Sequence, residues 1–262
     1  MKAEDVKIVF PLDVASEREA MELMEELQDV IDVPKVGLEL VHSIGTPMAV
    51  EIAGMHGHPV FLDVKLNDIP NTVAGASRAI VRHRVSFFNV MASGGEAMIA
   101  AAVEATRDET QEQGVERPMI ITVTVLTNLN VQDLKKLGIE PIRRELYHMS
   151  EEEKKQFIAG VVMKWSEIAV NAGTDILLCD PSEAAAVHNR WPNTPIFTPN
   201  IRLPSSPADD QEKSRTMTPG EAAKCGSVGL VIGRPIRNPV GGKTRQEVVA
   251  EIRADIAQTL AV

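Results

Sequence analysis

Eight short apolar runs recur along this chain, each followed by a stretch of helical character. They are Lys7 to Val14, Val33 to Leu38, the stretch opening at Val60, Phe87 to Val90, Met119 to Val125, Ile176 to Cys179, Pro195 to Thr198 and Gly229 to Ile232. Alternation of this kind implies parallel strands joined by right-handed crossovers. Eight units within 262 residues, with no linker or shift in composition between them, predict a closed (β/α)8 TIM barrel. The expected domain is a single one spanning residues 1–262.

The intervening stretches carry helix signals. Ser16 caps the first helix, with Glu17 and Glu19 in the first turn where the helix dipole favours acids. Thr46-Pro47 opens the second, which runs to Met55, and Asn71 to Arg84 forms the third. An alanine-rich helix ends near Glu112, and a short one covers Val131 to Leu137. Ser150 with Glu153 forms a capping box for a long helix to Ala172. Further helices span Pro181 to Asn189 and Gln246 to Leu260. Gly138 to Met149 reads as irregular, and Leu203 to Pro219 as a long loop before a short helix. Met21, Met24 and Met48 are expected as core filler.

Composition narrows the function. Aromatic residues make up only 3%, so the core must be largely aliphatic. A net charge of −10 argues against nucleic-acid binding, which needs a basic face. Cys179 and Cys225 make neither a metal motif nor a disulfide framework, which suits the reducing cytoplasm. No apolar run approaches the roughly 18 to 20 residues of a membrane span, and the start lacks a signal peptide. A cytoplasmic protein without membrane or nucleic-acid partners is expected.

Barrel sites lie at the C-terminal strand ends. There the chain places Asp13, Lys35, Asp63, Lys65, Thr127, Arg202 and the pair Gly233-Arg234, with Asp68 in the turn after the third strand. A lone Asp-x-Lys is more often an ordinary surface ion pair. So many polar groups on one rim read as a site instead. Phosphate sites in these barrels use the loops after strands seven and eight. Gly233 lets backbone approach and Arg234 offers a forked donor, while Arg202 and Gln211 lie on the preceding loop. Interleaved Lys35, Asp63, Lys65 and Asp68 suit proton transfer, because carboxylates hold Lys65 as an ammonium and so as a proton donor. Asp63 beside a substrate carboxylate would favour loss of that group as carbon dioxide.

These motifs resemble the orotidine 5′-phosphate decarboxylase family through nearly the whole chain, from Leu12-Asp13-Val14 to Gly233-Arg234-Pro235-Ile236. Asp63-Val-Lys-Leu-Asn-Asp-Ile-Pro-Asn-Thr72 is similar to the family signature. Lys35 to Leu40, Ala92 to Gly95, Thr124 to Thr127, Thr198-Pro199 with Ile201-Arg202, and Asp210-Gln211 match in order and spacing. The resemblance implies conversion of orotidine 5′-phosphate to UMP, with Lys65 protonating C6 and Asp63 beside the departing carboxylate. Lys35 and Asp13 would hold the ribose and order the charges. Thr127 would read the base, and Arg202, Gln211, Gly233 and Arg234 would take the phosphate. A homodimer is implied in which Asp68, Ile69 and Thr72 serve the partner's site. Neither a metal nor an organic cofactor is implied.

Four residues depart from the family pattern: Asn67 and Met91 where histidine is common, Asn128 where serine is usual, and Asn200 in place of glycine. If position 200 needs positive φ, asparagine tolerates it better than most residues. Two other readings stand beside the first. One is a metal-dependent sugar-phosphate decarboxylase or aldolase of the same superfamily, with Glu39 an available ligand. The other is a non-catalytic nucleotide-binding barrel.

Overall fold

Strands in this chain are only three to six residues long, as expected where both faces are buried and apolar residues run on without alternation. They are β1 (Lys7–Pro11), β2 (Val33–Val36), β3 (Phe61–Leu66), β4 (Phe87–Met91), β5 (Met119–Val123), β6 (Ile176–Leu178), β7 (Ile196–Thr198) and β8 (Ser227–Val231). The computed structural model describes residues 1–139, 149–203 and 216–261. Within them all eight strands are parallel and close in chain order, β8 pairing back onto β1 at Ile8 and Leu230. The (β/α)8 barrel expected from the alternation is the fold observed.

The helices around it are α1 (Glu17–Leu27), α2 (Leu38–Ile44), α3 (Thr46–Ala53), α4 (Pro70–Arg82), α5 (Glu96–Gln113), α6 (Val131–Lys136), α7 (Glu151–Asn171), α8 (Pro181–Arg190), α9 (Pro219–Lys224), α10 (Arg234–Arg237) and α11 (Arg245–Leu260). Their starts follow the sequence signals. Ser16 Oγ accepts from the Glu19 amide at 3.3 Å, and Ser150 and Glu153 cap each other at 2.8 and 3.3 Å. Proline stands in the first turn of α3, α4, α8 and α9, where its missing N–H has no partner to lose.

Several expectations change. β1 ends at Pro11 rather than Val14, and β2 at Val36 rather than Leu38. Leu38 to Val41 then begins a separate helix, α2. Its cap, Gly37, offers no side-chain bond that would mark a helix start, and Gly45, at φ 83°, divides it from α3. Met48 is 38% exposed and so is not core, whereas Met24 is fully buried. The expected residue Gln211, the match at Asp210 and most of the irregular stretch after Gly138 lie outside the described residues. Among the described residues no helix is long and apolar enough to cross a membrane.

The core has two parts. The larger lies between the outer face of the strands and the helices. A smaller one fills the barrel interior: Val9, Val33, Phe61, Phe87, Ile121, Ile176 and Phe197. Phe61 meets Phe87 and Phe197 edge-on, at ring centroids 6.4 and 6.5 Å apart. Gly229 on β8 makes room for this cluster, since a Cβ there would fall 2.3 Å from the Phe197 ring. This apolar floor positions the layer above it.

Candidate active site

Side chains two apart on a strand share a face. Val33, Phe61 and Phe87 point into the barrel, so Lys35, Asp63 and Asn89 form the next layer toward the C-terminal mouth. All three are buried, at 7%, 8% and 0% exposure. Lys35 Nζ donates to Asp63 Oδ2 at 2.6 Å and lies 3.6 Å from Asp13 Oδ1. Lys65 Nζ donates to Asp63 Oδ1 at 2.5 Å. Asp63 therefore holds one lysine on each oxygen.

Burial by itself would raise the Asp63 carboxyl, but the ammonium groups of Lys35 and Lys65 outweigh it and hold the group well below the usual carboxylate range. Burial would likewise depress Lys35. Attraction first to Asp63 and then to Asp13 overcomes this and leaves its pKa above the ordinary lysine value. Asp63 is thus a permanent anion and Lys35 a permanent cation across ordinary pH. The Lys65 side chain differs in being 36% exposed, opening toward the mouth.

Strand pleating alone does not bring Lys65 here. Its φ is 48°, and the β3–β4 register slips between Leu62 and Leu66. Such a left-handed non-glycine backbone carries strain of about 1 to 3 kcal/mol. Asn89 meets the bulge from β4: its Oδ1 accepts from the Lys65 amide at 2.6 Å, and its Nδ2 donates to Asp63 Oδ1 at 2.6 Å. Sequence reasoning passed over Asn89. Its one signal was an amide two residues beyond the inward-facing Phe87 in an otherwise apolar strand.

Arg237 was also passed over. From α10 its Nη1 donates to the Asp13 carbonyl at 2.7 Å and its Nη2 to the Pro11 carbonyl at 3.2 Å, with the Asp13 carboxylate 3.4 Å away. It ties the end of β1 to the residues just after Gly233-Arg234. Gly37 supports the same corner, because a Cβ there would stand 2.9 Å from Asp13 Oδ1.

The remaining expected residues sit farther out. Asp68, Ile69 and Thr72 are exposed, Ile69 at 66%, and the Asp68 carboxylate accepts from the Ile69 amide at 2.6 Å. No ion pair joins Asp68 to a lysine among the described residues of its own chain. Thr127 is half-buried after β5. Arg202 is half-buried, its Nη1 donating to the Ile201 carbonyl at 2.9 Å. Gly233 precedes α10 with φ −97° and packs so closely that a Cβ would lie 2.9 Å from Pro11 Cγ, while Arg234 is exposed. Asn200 has φ 60°, the conformation in which it can replace glycine, and its Nδ2 donates to Asp180 Oδ2 at 3.2 Å. Among the described residues no three His, Cys, Asp or Glu side chains are grouped to hold a metal ion.

Comparison with known proteins agrees with the fold and the motifs. Residues 7–245 match the family described as Orotidine 5'-phosphate decarboxylase / HUMPS family. The orotidine 5'-phosphate decarboxylase of Moorella thermoacetica is 41% identical over 238 residues, covering 90% of this chain and 87% of that protein. The enzyme of the same name from Syntrophomonas wolfei is 36% identical over 245 residues, 92% of this chain and 95% of that one. Among solved structures, orotidine 5'-phosphate decarboxylase from Lactobacillus acidophilus superposes with a TM-score of 0.75 at 25% identity, covering 96% of this chain and 99% of that chain.

Proposed function

The chain belongs to the orotidine 5'-phosphate decarboxylase / HUMPS family, and from that premise we propose that it converts orotidine 5'-phosphate to UMP and carbon dioxide, the last step of pyrimidine nucleotide synthesis. One observation carries the reading: a buried Asp63 that grips Lys35 on one oxygen and Lys65 on the other at the barrel mouth. The substrate carboxylate is placed beside Asp63, whose charge persists because two ammonium groups hold its pKa down. Breaking the bond from C6 to the carboxyl carbon releases carbon dioxide and leaves the electron pair on C6. Lys65 Nζ gives its proton to that carbon, and solvent returns one to the amine. Removing charge next to Asp63 while bringing an ammonium to the developing carbanion favours the transition state over the bound substrate. No cofactor takes part in this scheme, so the polar groups carry a barrier reduction in the upper part of the usual span of about 8 to 23 kcal/mol.

The other residues take supporting roles. Asp13 and Lys35 hold the ribose, Thr127 reads the base, and Arg202, Gln211, Gly233 and Arg234 bind the phosphate. Asp68, Ile69 and Thr72, exposed on their own chain, complete the site of the second subunit in a homodimer acting in the cytoplasm. The test is the loss of orotidylate absorbance, followed for the wild-type protein with and without excess chelator and for Lys65→Ala. Expected are chelator-insensitive turnover and a loss of about 10³-fold or more in the variant. A near-normal rate for Lys65→Ala overturns the proton-donor role. Loss of wild-type turnover on chelation points instead to the metal-dependent sugar-phosphate chemistry of the superfamily, and UMP binding without turnover to a nucleotide-binding barrel.

A further inference from the structure

We infer that Asn89 is a positioning residue for the decarboxylation, setting both the backbone of Lys65 and the orientation of the Asp63 carboxylate. Its role rests on Lys65 being the proton donor. A fully buried amide is unfavourable unless bonded, and a core asparagine with satisfied bonds is ordinarily just part of the packing. Asn89 differs in where both bonds go. They reach the two functional residues of a single strand bulge, one to a main-chain N–H and one to a carboxylate. Only one amide orientation serves both, because the Lys65 N–H must donate and the Asp63 oxygen must accept. The same carboxylate oxygen receives Lys65 Nζ at 2.5 Å. Asn89 thereby closes a small ring that runs from the Lys65 amide through its own side chain and Asp63 Oδ1 to the Lys65 ammonium.

That ring explains how a lysine keeps a φ of 48° at the point where the β3–β4 register slips. Without Asn89 the bulge loses the partner of its half-buried Lys65 N–H and is free to relax to ordinary strand geometry. Relaxation would turn the Lys65 side chain away from the position its backbone now dictates. Small misplacements of a reacting group can lower rates by about 10²-fold. Thr127, Arg202, Gly233 and Arg234, proposed to bind base and phosphate, follow β5, β7 and β8 and would be little affected. Loss of Asn89 should therefore act on kcat far more than on KM.

Asn89→Asp tests this with almost no change in shape. The new carboxylate still accepts from the Lys65 amide but repels Asp63 in place of donating to it. From β4 it faces Asp63 and Lys65 of β3, with Lys35 of β2 behind Asp63, and its register partner on β5 is the apolar Ile121. Two carboxylates sharing a site raise one pKa. Protonation of that pair restores a donor where the amide stood. The expected result is a kcat about 10²-fold down near pH 8 that climbs toward pH 6, with KM within about threefold of wild type. The wild-type protein should lack that limb. Asn89→Leu, which has neither bond, should lose kcat at every pH and still bind UMP by calorimetry. Wild-type kcat and pH dependence in Asn89→Asp would overturn the inference while leaving the proposed function standing. So would a loss in that variant that is the same at both pH values, or failure of both variants to fold, since each marks a structural role. Absence of orotidylate turnover by the wild-type protein itself would instead bring down the proposed function.

Discussion

Two halves of one stretch behave oppositely. Asp63 and Lys65 lie in the barrel mouth, locked by Lys35, Asn89 and each other. Asp68 to Thr72, only a few residues later, face solvent, with Ile69 exposed at 66%. Motif and strand are continuous, so the contrast comes from geometry. The bulge at Lys65 ends the inward-facing run, and Pro70 then starts α4 outside the barrel. The inner half is complete within its own chain. The outer half offers an acid, an apolar side chain and a hydroxyl, with no ion pair to Asp68 among the described residues of its own chain, as expected if it works on a second subunit.

Mutations should separate the halves by stability as well as by activity. The largest effect is expected from Asp63→Ala, which leaves two ammonium groups facing each other beside a buried amide. Breaking a buried pair in this way is destabilising by about 3 kcal/mol or more, read as a fall in Tm of roughly 10 °C. Arg237→Ala should come next. It strips donors from the Pro11 and Asp13 carbonyls, at about 1 to 3 kcal/mol, and denaturant unfolding measures it. Asp68→Ala should change stability by under about 0.5 kcal/mol while severely reducing turnover. A large loss of stability from Asp68→Ala would erase the distinction between the halves.

The pH dependence sharpens the same contrast. Asp63 has a depressed folded pKa, so its contribution is present above the unfolded carboxylate value and lost as pH falls through the folded one. Lys35 has a raised folded pKa, so its contribution is present below the unfolded lysine value and lost as pH rises through the folded one. Thermal unfolding should show a plateau from about pH 5 to about pH 10. In Asp63→Ala both limbs should shrink, and in Asp68→Ala neither should move.

Much of this was legible in the residues. Eight apolar runs with helices between them specify the barrel, since parallel strands must be covered on their outer face. The rim positions of Asp13, Lys35 and Asp63 followed from where strands end, whereas Lys65 reaches the mouth through a bulge. What was hidden had physical reasons. Helix α2 lacks a side-chain cap and begins with apolar residues that read as strand. The bulge at Lys65 has no glycine to announce it, because Asn89 across the ladder stabilises the unusual backbone in its place. Arg237 reaches β1 from more than 200 residues away in sequence, a contact that only barrel closure creates. Asn200 was the reverse case: its place where the family pattern has glycine made positive φ a condition asparagine could meet, and its φ is 60°.

Mixing two inactive proteins tests the division of labour most directly. Lys65→Ala and Asp68→Ala are unfolded together, refolded, and assayed with orotidylate. If each site draws Lys65 from one subunit and Asp68 from the other, random pairing restores roughly a quarter of wild-type activity, because half the dimers are mixed and each holds one intact site. No recovery from a mixture shown to contain mixed dimers would mean that Asp68 serves its own chain, contradicting the account.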